Sequence, residues 1–180
     1  MACITKLANA IAYDCDSGAT GLDSAVIINK ADIASYTVVS STAVVTALTL
    51  VPGAKPFKID TVKRSLVVSS SLKINDGAPN AHSHSASITM TANTDSAARL
   101  ATDAFANGSF VIVAKWHNRV SAEIYGLYYG LSATGVESNS HDNGGWTTIT
   151  LETPENVIGE DTLRAGDAVY TDLLAAAVGQ

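Results

Sequence analysis

The segment 85–116 constrains the fold more than any other part of the chain, because its hydrophobic period changes twice. Residues 85–92 alternate between hydroxyl and apolar side chains, and one face carries Ala86, Ile88, Met90 and Ala92. Successive side chains of a strand point to opposite faces of a sheet, so this period of two predicts a half-buried strand. Residues 110–116 are again rich in β-forming side chains. A strand on each side of a different element is therefore expected.

The element between these strands has the period of a helix, which we place at about 95–106. Its apolar residues recur at i, i+3, i+4, i+7 and i+8, on one face of a helix: Ala97, Leu100, Ala101, Ala104 and Phe105. Thr94 can cap the start, Asp95 suits the positive end of the helix dipole, and Asn107-Gly108 can end it. We expect the apolar stripe to bury against a sheet.

The rest of the chain is β-like, and no linker divides it. Further strands are predicted at 25–29, 36–39, 43–51, 57–60, 62–74, 124–131 and 146–151, with loops at 75–83 and 132–143 and a bulge or bend at 69–71. The predicted fold class is mainly β, a sandwich or barrel of two packed sheets with one short α-helix between strands. We expect a single domain over 1–180, with an N-terminal arm at about 1–24 and a C-terminal arm at about 155–180.

Low charge is the most unusual property of the composition. Charged residues make up 16% of the 180 residues, against about 25% in typical globular proteins. Charge normally keeps copies of a protein apart. The composition therefore fits either a β protein that is secreted or needs little thermal stability, or a subunit whose surface is covered by copies of itself.

The N-terminus and the cysteines favour a reduced intracellular chain. Lys6 interrupts the segment in which a signal peptide needs an uninterrupted apolar run, so a mature intracellular start is expected. No run of about 18 apolar residues is present, and we expect no membrane anchor. Cys3 and Cys15 are too few for a disulfide framework, although a single bridge between them stays open.

The charges are unevenly distributed along the chain. Residues 137–180 hold eight acidic residues and only Arg164 as a basic one, a net charge of −7, and the rest of the chain is +1. One interpretation is two solvated faces. The other is that a basic region of one subunit meets an acidic region of the next, which favours head-to-tail assembly. The hypothesised assembly interface then consists of Lys58, Lys63, Arg64, Glu155, Glu160 and Asp161.

No catalytic constellation is recognisable, so neither an enzyme nor a cofactor is expected. His82-Ser83-His84 has a spacing that can hold a metal, but it lacks further ligands in a known motif, so no metal is expected. Gly-x-Ser-x-Gly is absent as well. The sequence pI of about 5.0 disfavours a function in nucleic-acid recognition. The aromatic residues fit either packing or a sugar-binding platform: Trp116, Tyr125, Tyr128, Tyr129 and Trp146.

The order of elements resembles the phage tail-tube family and the related tubes of contractile injection systems. The resemblance covers about residues 57–160 and rests on the strand at 85–92, the helix at 95–106, the strand at 110–116, the segment Glu123-Ile-Tyr-Gly-Leu-Tyr-Tyr-Gly-Leu131 and the segment Gly144-Gly-Trp-Thr-Thr-Ile-Thr-Leu-Glu152. It implies subunits that close into hexameric rings, each contributing one sheet to a continuous inner barrel. The rings stack into a tube through which DNA passes without sequence-specific binding.

The resemblance also implies partners and a location, and other functions remain open. The partners would be further copies of the chain and other virion tail proteins. The location would be the virion tail, after assembly in the host cytoplasm. The alternatives are a head-decoration or head–tail connector protein, which is also a virion component, and a carbohydrate-binding β-sandwich that uses the aromatic residues.

Overall fold

The computed structural model describes residues 21–59, 61, 65–74, 76–77, 79–90, 96–138 and 146–178. Within these ranges the fold is mainly β, as predicted from the sequence, with strands joined in one branched sheet. The strands are β1 (Leu22–Asn29), β2 (Ile33–Val39), β3 (Val44–Leu50), β4 (Phe57–Ile59), β5 (Leu66–Lys73), β6 (Ala81–Met90), β7 (Ser109–Trp116), β8 (Glu123–Tyr125), β9 (Leu131–Ser138), β10 (Thr147–Glu152) and β11 (Leu163–Ala165). The helices are α1 (Ser96–Asn107) and α2 (Asp167–Ala176).

The centre of the fold is the antiparallel pair of β1 and β7. Both strands carry nearly unbroken runs of apolar residues, and the pairing extends from Leu22 opposite Trp116 to Asn29 opposite Phe110. A strand that is apolar on both faces must be covered on both faces. Ala25, Ile27 and Ile112 accordingly join one buried cluster. Val26, Ile28 and Val113 join another.

The sheet divides beyond β7, and each branch covers one face of the central pair. One branch runs β9-β10-β6-β5 and the other runs β8-β11-β3-β2, while β4 pairs with the far side of β1. The division occurs because β9 pairs with the start of β7, at Ser109 and Phe110, whereas β8 pairs further along, at 112–114. The first core cluster lies under the β5–β6–β10–β9 branch. The second lies under β3, β11 and α2.

The helix α1 is confirmed between β6 and β7, but the predicted burial of its apolar stripe is wrong. Leu100 is 69% exposed and Ala104 is also exposed. Phe105 is half-buried and packs its ring 4.9 Å from that of Phe110, centroid to centroid. The helix lies against β9 at the margin of the sheet, so only its Phe105 side reaches the core. The side chain of Ala97 is outside the described part of the chain.

The C-terminal region is part of the fold and not the arm that we expected. β11 and α2 lie within 155–180, and Leu163, Val169, Tyr170 and Leu173 are buried in the second core cluster. The fold therefore contains a second complete helix, whereas the sequence left open only a final helical turn or a flexible tail at 172–178. Most of the predicted N-terminal arm, 1–20, lies outside the described residues, and its last residues already belong to β1.

Three loop and strand boundaries also differ from the predictions. The strand predicted at 124–131 is two strands, β8 and β9, separated by a turn at 126–130. The loop predicted at 132–143 is β9 up to Ser138, and β6 begins at Ala81 inside the loop predicted at 75–83. No bulge forms at 69–71, where the pairing of β5 with β6 is unbroken from Leu66 to Lys73.

Candidate functional site: a polar cleft where the sheet divides

The turn at 126–130 has a backbone that only glycine tolerates at its two ends. Gly126 and Gly130 have φ of 77° and 78°, in the left-handed region that side chains disfavour. A Cβ on Gly126 would lie 2.7 Å from Cγ of Leu131. The Gly130 N–H donates to the Gly126 carbonyl oxygen at 2.9 Å, which closes the turn. The sequence analysis placed both glycines inside the strand predicted at 124–131, whereas they lie in the turn between β8 and β9.

The side chains of Glu160, which is buried, and Lys30, which is half-buried, hold the middle of this turn. The Glu160 carboxylate, with 1% of the residue exposed, accepts the backbone N–H groups of Tyr128 at 2.8 Å and Tyr129 at 2.7 Å. The Lys30 ammonium donates to the Leu127 carbonyl oxygen at 2.6 Å. Buried backbone groups need partners, and here side chains from distant segments supply them.

Burial shifts the pKa values of these groups in opposite directions. Burial raises the pKa of the Glu160 carboxyl, and the two backbone N–H groups and the Lys30 charge counteract this shift in part. Burial also lowers the pKa of Lys30. The pKa of Tyr128 is raised to about 12 by burial and by the negative charge of Asp161, whose Oδ2 lies 3.4 Å from the Tyr128 hydroxyl. The buried Glu160 carboxyl and the half-buried Lys30 amine thus both lie in surroundings that disfavour their charged forms.

His84 of β6 forms a hydrogen bond with the first residue of the same turn. It is 1% exposed, and its Nδ1 accepts the Gly126 N–H at 3.1 Å. Burial, and then the neighbouring His82, lower the pKa of His84 to about 4, so the imidazole is neutral at pH 7. Because Nδ1 accepts a hydrogen bond, the single ring proton lies on Nε2. The ring also meets Tyr125 edge-on, with 5.3 Å between centroids.

A cleft of about 290 Å³ opens between the two branches of the sheet. Ser70 and His84, paired across β5 and β6, line one side. Glu123 of β8 and Arg164 of β11, also paired, line the other side. Ala43, which has an unusual φ of 53°, lies at the margin. Polar side chains from both branches therefore meet in a cleft that also has apolar lining.

Glu123 is the most extensively bonded side chain in the cleft wall. Its Oε2 accepts from the Tyr125 hydroxyl at 2.7 Å and from Nε1 of Trp116 at 3.2 Å. Its Oε1 pairs with the Arg119 guanidinium, which also stacks on the Trp116 ring, 5.1 Å from its centroid. Both carboxylate oxygens are thus already occupied by protein donors.

The structure removes Glu160 from the hypothesised assembly interface. Its carboxylate is buried and bonded to the turn, so it cannot meet a lysine of another subunit. Lys58 and Glu155 are exposed and Asp161 is half-buried. Lys63 and Arg64 lie outside the described residues. The basic and acidic regions also meet inside one subunit, where Lys73 donates to the Val157 carbonyl oxygen at 2.7 Å.

The aromatic residues lie in separate contacts and not on one platform. Tyr125 is buried beside His84, whereas Tyr128 packs against Tyr36 at 6.2 Å between centroids. Trp116 stacks with Arg119, and Trp146, which is 41% exposed, stands before β10. No group of three or more His, Cys, Asp or Glu residues suited to a metal occurs in the part of the chain that the structure describes.

Sequence reasoning found the histidine pair and the two glycines but not their connection. Glu160 appeared only as one charge of an acidic segment, and Lys30 was not singled out. The partners of the turn are 31 to 97 residues away from it in sequence. The one local signal was the pair of glycines at the ends of an apolar and aromatic run, which marks an unusual backbone without naming what holds it.

No protein-family model, curated protein or solved structure matches this chain. No helix among the described residues is long and apolar enough to cross a membrane.

Proposed function

We propose that this chain is a structural virion subunit that assembles into stacked, hexameric rings and forms a phage tail tube. The resemblance in element order supports this, and the observation that carries the proposal is an unprotected sheet edge. In the proposed virion role the partners are other copies and tail proteins, DNA passes without sequence-specific binding, and the subunit has no catalytic task.

The free edges of the described sheet differ in how they are protected. β4 has three residues and follows Pro56, and the pairing of β2 with β3 contains two register shifts. Short strands, prolines and bulges all discourage pairing with another chain. β5 has eight residues and a regular pairing on its inner side. Its Val67 and Leu72 are 49% and 60% exposed, so β5 is an edge suited to pairing with another copy.

The opposite side of the same branch offers a second edge. β9 pairs with β7 only at Leu131 and Ser132, so among the described residues 133–138 have no strand on that side. Val136 is exposed there, and Leu100 is exposed on the helix packed against β9. An apolar edge is thus present on both sides of the β5–β6–β10–β9 branch.

The strand directions permit these two edges to join in a ring. The three pairings within the branch are all antiparallel, so β5 and β9 run in opposite directions. Rotation about a ring axis keeps strand directions, and β9 of one subunit therefore meets β5 of the next in antiparallel orientation. Such closure removes exposed edges from the assembly.

The test is negative-stain microscopy of the purified chain and of edge variants. We expect rings or tubes from the natural sequence and their loss in Val67→Lys and Val136→Lys, because a lysine on an edge strand discourages pairing with another chain. Val120→Lys is the matched control, since Val120 is 83% exposed in the loop after β7 and not on either edge.

Two outcomes would contradict parts of this proposal. Discrete monomers or trimers from the natural sequence favour a decoration or connector protein over a tube. Tubes that persist in both edge variants contradict the edge-pairing geometry. The charge contribution of Lys58, Lys63, Arg64, Glu155 and Asp161 remains a prediction, tested by reversing Lys63 and Arg64 to Glu and measuring assembly by light scattering.

A further inference from the structure

The His84 ring lines the cleft and carries a hydrogen-bond donor that no protein group among the described residues uses. The Nδ1 atom of His84 is occupied by the Gly126 N–H, which leaves the ring proton on Nε2. Among the described residues, His84 makes no hydrogen bond through Nε2, although 99% of the residue is buried and it lines the cleft. This donor is open to an acceptor in the cleft.

Arg164 supplies the positive charge of the same cleft. One of its guanidinium N–H groups contacts the Thr42 carbonyl oxygen at 3.3 Å, and this is the side-chain hydrogen bond that the structure shows for it. A guanidinium has five N–H donors in a planar fork that matches a carboxylate. Arg164 therefore has donors left for a ligand.

The acidic group of the cleft does not oppose this charge. Glu123 is neutralised by Arg119, and its oxygens accept from Trp116 and Tyr125. The hydroxyl of Ser70 lies 3.2 Å from Nδ1 of His82. The groups still free to bond are consequently donors, and the ligand that complements them is an acceptor with negative charge.

We propose that the cleft between the sheet branches binds a small carboxylate, held by the Arg164 guanidinium and the Nε2–H of His84. The volume of about 290 Å³ is that of about ten water molecules, which suits a short-chain carboxylic acid. Ile124 and Leu163 line the same cleft and offer apolar contact to its hydrocarbon part. The proposal is independent of assembly into rings.

Nuclear magnetic resonance of the full ¹⁵N-labelled chain provides the test, with sodium propionate as the probe. We expect a saturable shift of the His84 Nε2–H signal and of the Arg164 guanidinium signals. Arg164→Gln and His84→Asn should each weaken binding about tenfold, the usual effect of losing one charge-assisted hydrogen bond. Asn keeps an acceptor for the Gly126 N–H but has no group at the Nε2 position. Lys55→Gln is the control, because Lys55 is exposed and does not line the cleft.

The other probes decide the ligand class. Propionamide, the neutral isostere, should bind at least about tenfold more weakly, and sodium chloride at equal ionic strength should leave the His84 signal in place. Tighter binding of inorganic phosphate or of a neutral sugar would contradict the carboxylate assignment. A linear, non-saturating shift, or equal affinities in the Arg164→Gln and natural proteins, would remove the site itself. Because Arg164 is exposed, the Arg164→Gln protein should remain folded. It therefore tests the proposal even where the His84→Asn protein does not fold.

Discussion

Acid should destabilise this protein through His84 in a defined pH window. The pKa of the imidazole is about 4 in the fold and about 6.5 in an unfolded chain. The unfolded chain therefore takes up a proton first as the pH falls. Stability is fully present above pH 6.5 and is lost as the pH falls towards 4. The difference of about 2.5 pKa units corresponds to about 3 kcal/mol in the free energy of unfolding.

Replacing His84 by Asn isolates this contribution. Asn retains an acceptor for the Gly126 N–H at 3.1 Å but does not titrate, so the variant should be less stable at pH 7 and much less sensitive to acid. Glu160 acts in the opposite direction, because its raised pKa makes the folded chain take up a proton before the unfolded one. Both proteins contain Glu160, so the difference between them reports His84 alone.

Urea unfolding followed by circular dichroism, at intervals from pH 7 to pH 4, measures the effect. The natural protein should lose about 3 kcal/mol more than His84→Asn over this range. His82→Asn is the matched control and should change the slope only slightly, since His82 is the second and smaller cause of the His84 shift. Parallel pH profiles for the natural protein and His84→Asn would refute the reasoning.

The remaining predictions concern stability at pH 7, measured by urea unfolding. Ala43→Gly should raise the free energy of unfolding by about 0.5–1 kcal/mol by relieving the φ of 53°; a loss would show that the methyl group packs. Phe110→Ala should lower it by about 3–5 kcal/mol and Phe105→Ala by about half as much, because Phe105 is only half-buried; equal losses would contradict the marginal position of α1. Glu160→Ala should lower it by about 1–3 kcal/mol by leaving two N–H groups unpaired; a gain would mean that burying the carboxylate outweighs its bonds. Gly126→Ala should lower it by about 1–3 kcal/mol, and an unchanged midpoint would contradict the turn geometry.

Local periodicity predicted the strands well because the alternation of residues along a strand reflects which of its two faces is buried. The alternation in β6 corresponds to burial of Ala86 and Ile88 against the core, and the hydroxyl residues between them face away from it. The apolar runs of β1 and β7 likewise match their burial on both faces. Periodicity also located α1, but it indicates which side of a helix is apolar and not how far the sheet extends beneath that side. This is why Leu100 was wrongly predicted to be buried.

The cleft and its turn escaped sequence reasoning because their contacts are long-range. Residues 124–131 are apolar and aromatic, and nothing local shows that Glu160, Lys30 and His84 hold a turn there. β11 has three residues, too few for a period. In α2 the Ala-rich sequence resembled a tail, although Tyr170 is buried and its hydroxyl lies 2.7 Å from that of Ser24. Burial by distant strands overrides weak local patterns.

The proposed ring also determines which face of the sheet would surround the axis. The core side of the β5–β6–β10–β9 branch carries the rest of the subunit, and the space available to a subunit grows with its distance from the axis. The bulk must then lie outside, and the face away from the core lines the lumen. The described hydroxyl residues on that face include Ser69, Ser71, Ser83, Ser85, Ser87, Thr89, Thr148 and Thr150, aligned across neighbouring strands.

A hydroxyl-lined lumen changes the argument about DNA passage. The net charge of −6 per chain describes the whole subunit, whereas a passing duplex senses mainly the nearest face. Ser69 and Ser85 already bond to each other, with 2.8 Å between their oxygens, and neither carries charge. Tight DNA binding depends on basic side chains that release counterions from phosphates, and these hydroxyl positions release none. By register the same face also carries Lys73, Glu137 and Glu152. Under the proposed function, DNA would slide past because this face offers one basic residue against two acidic ones and is otherwise largely uncharged.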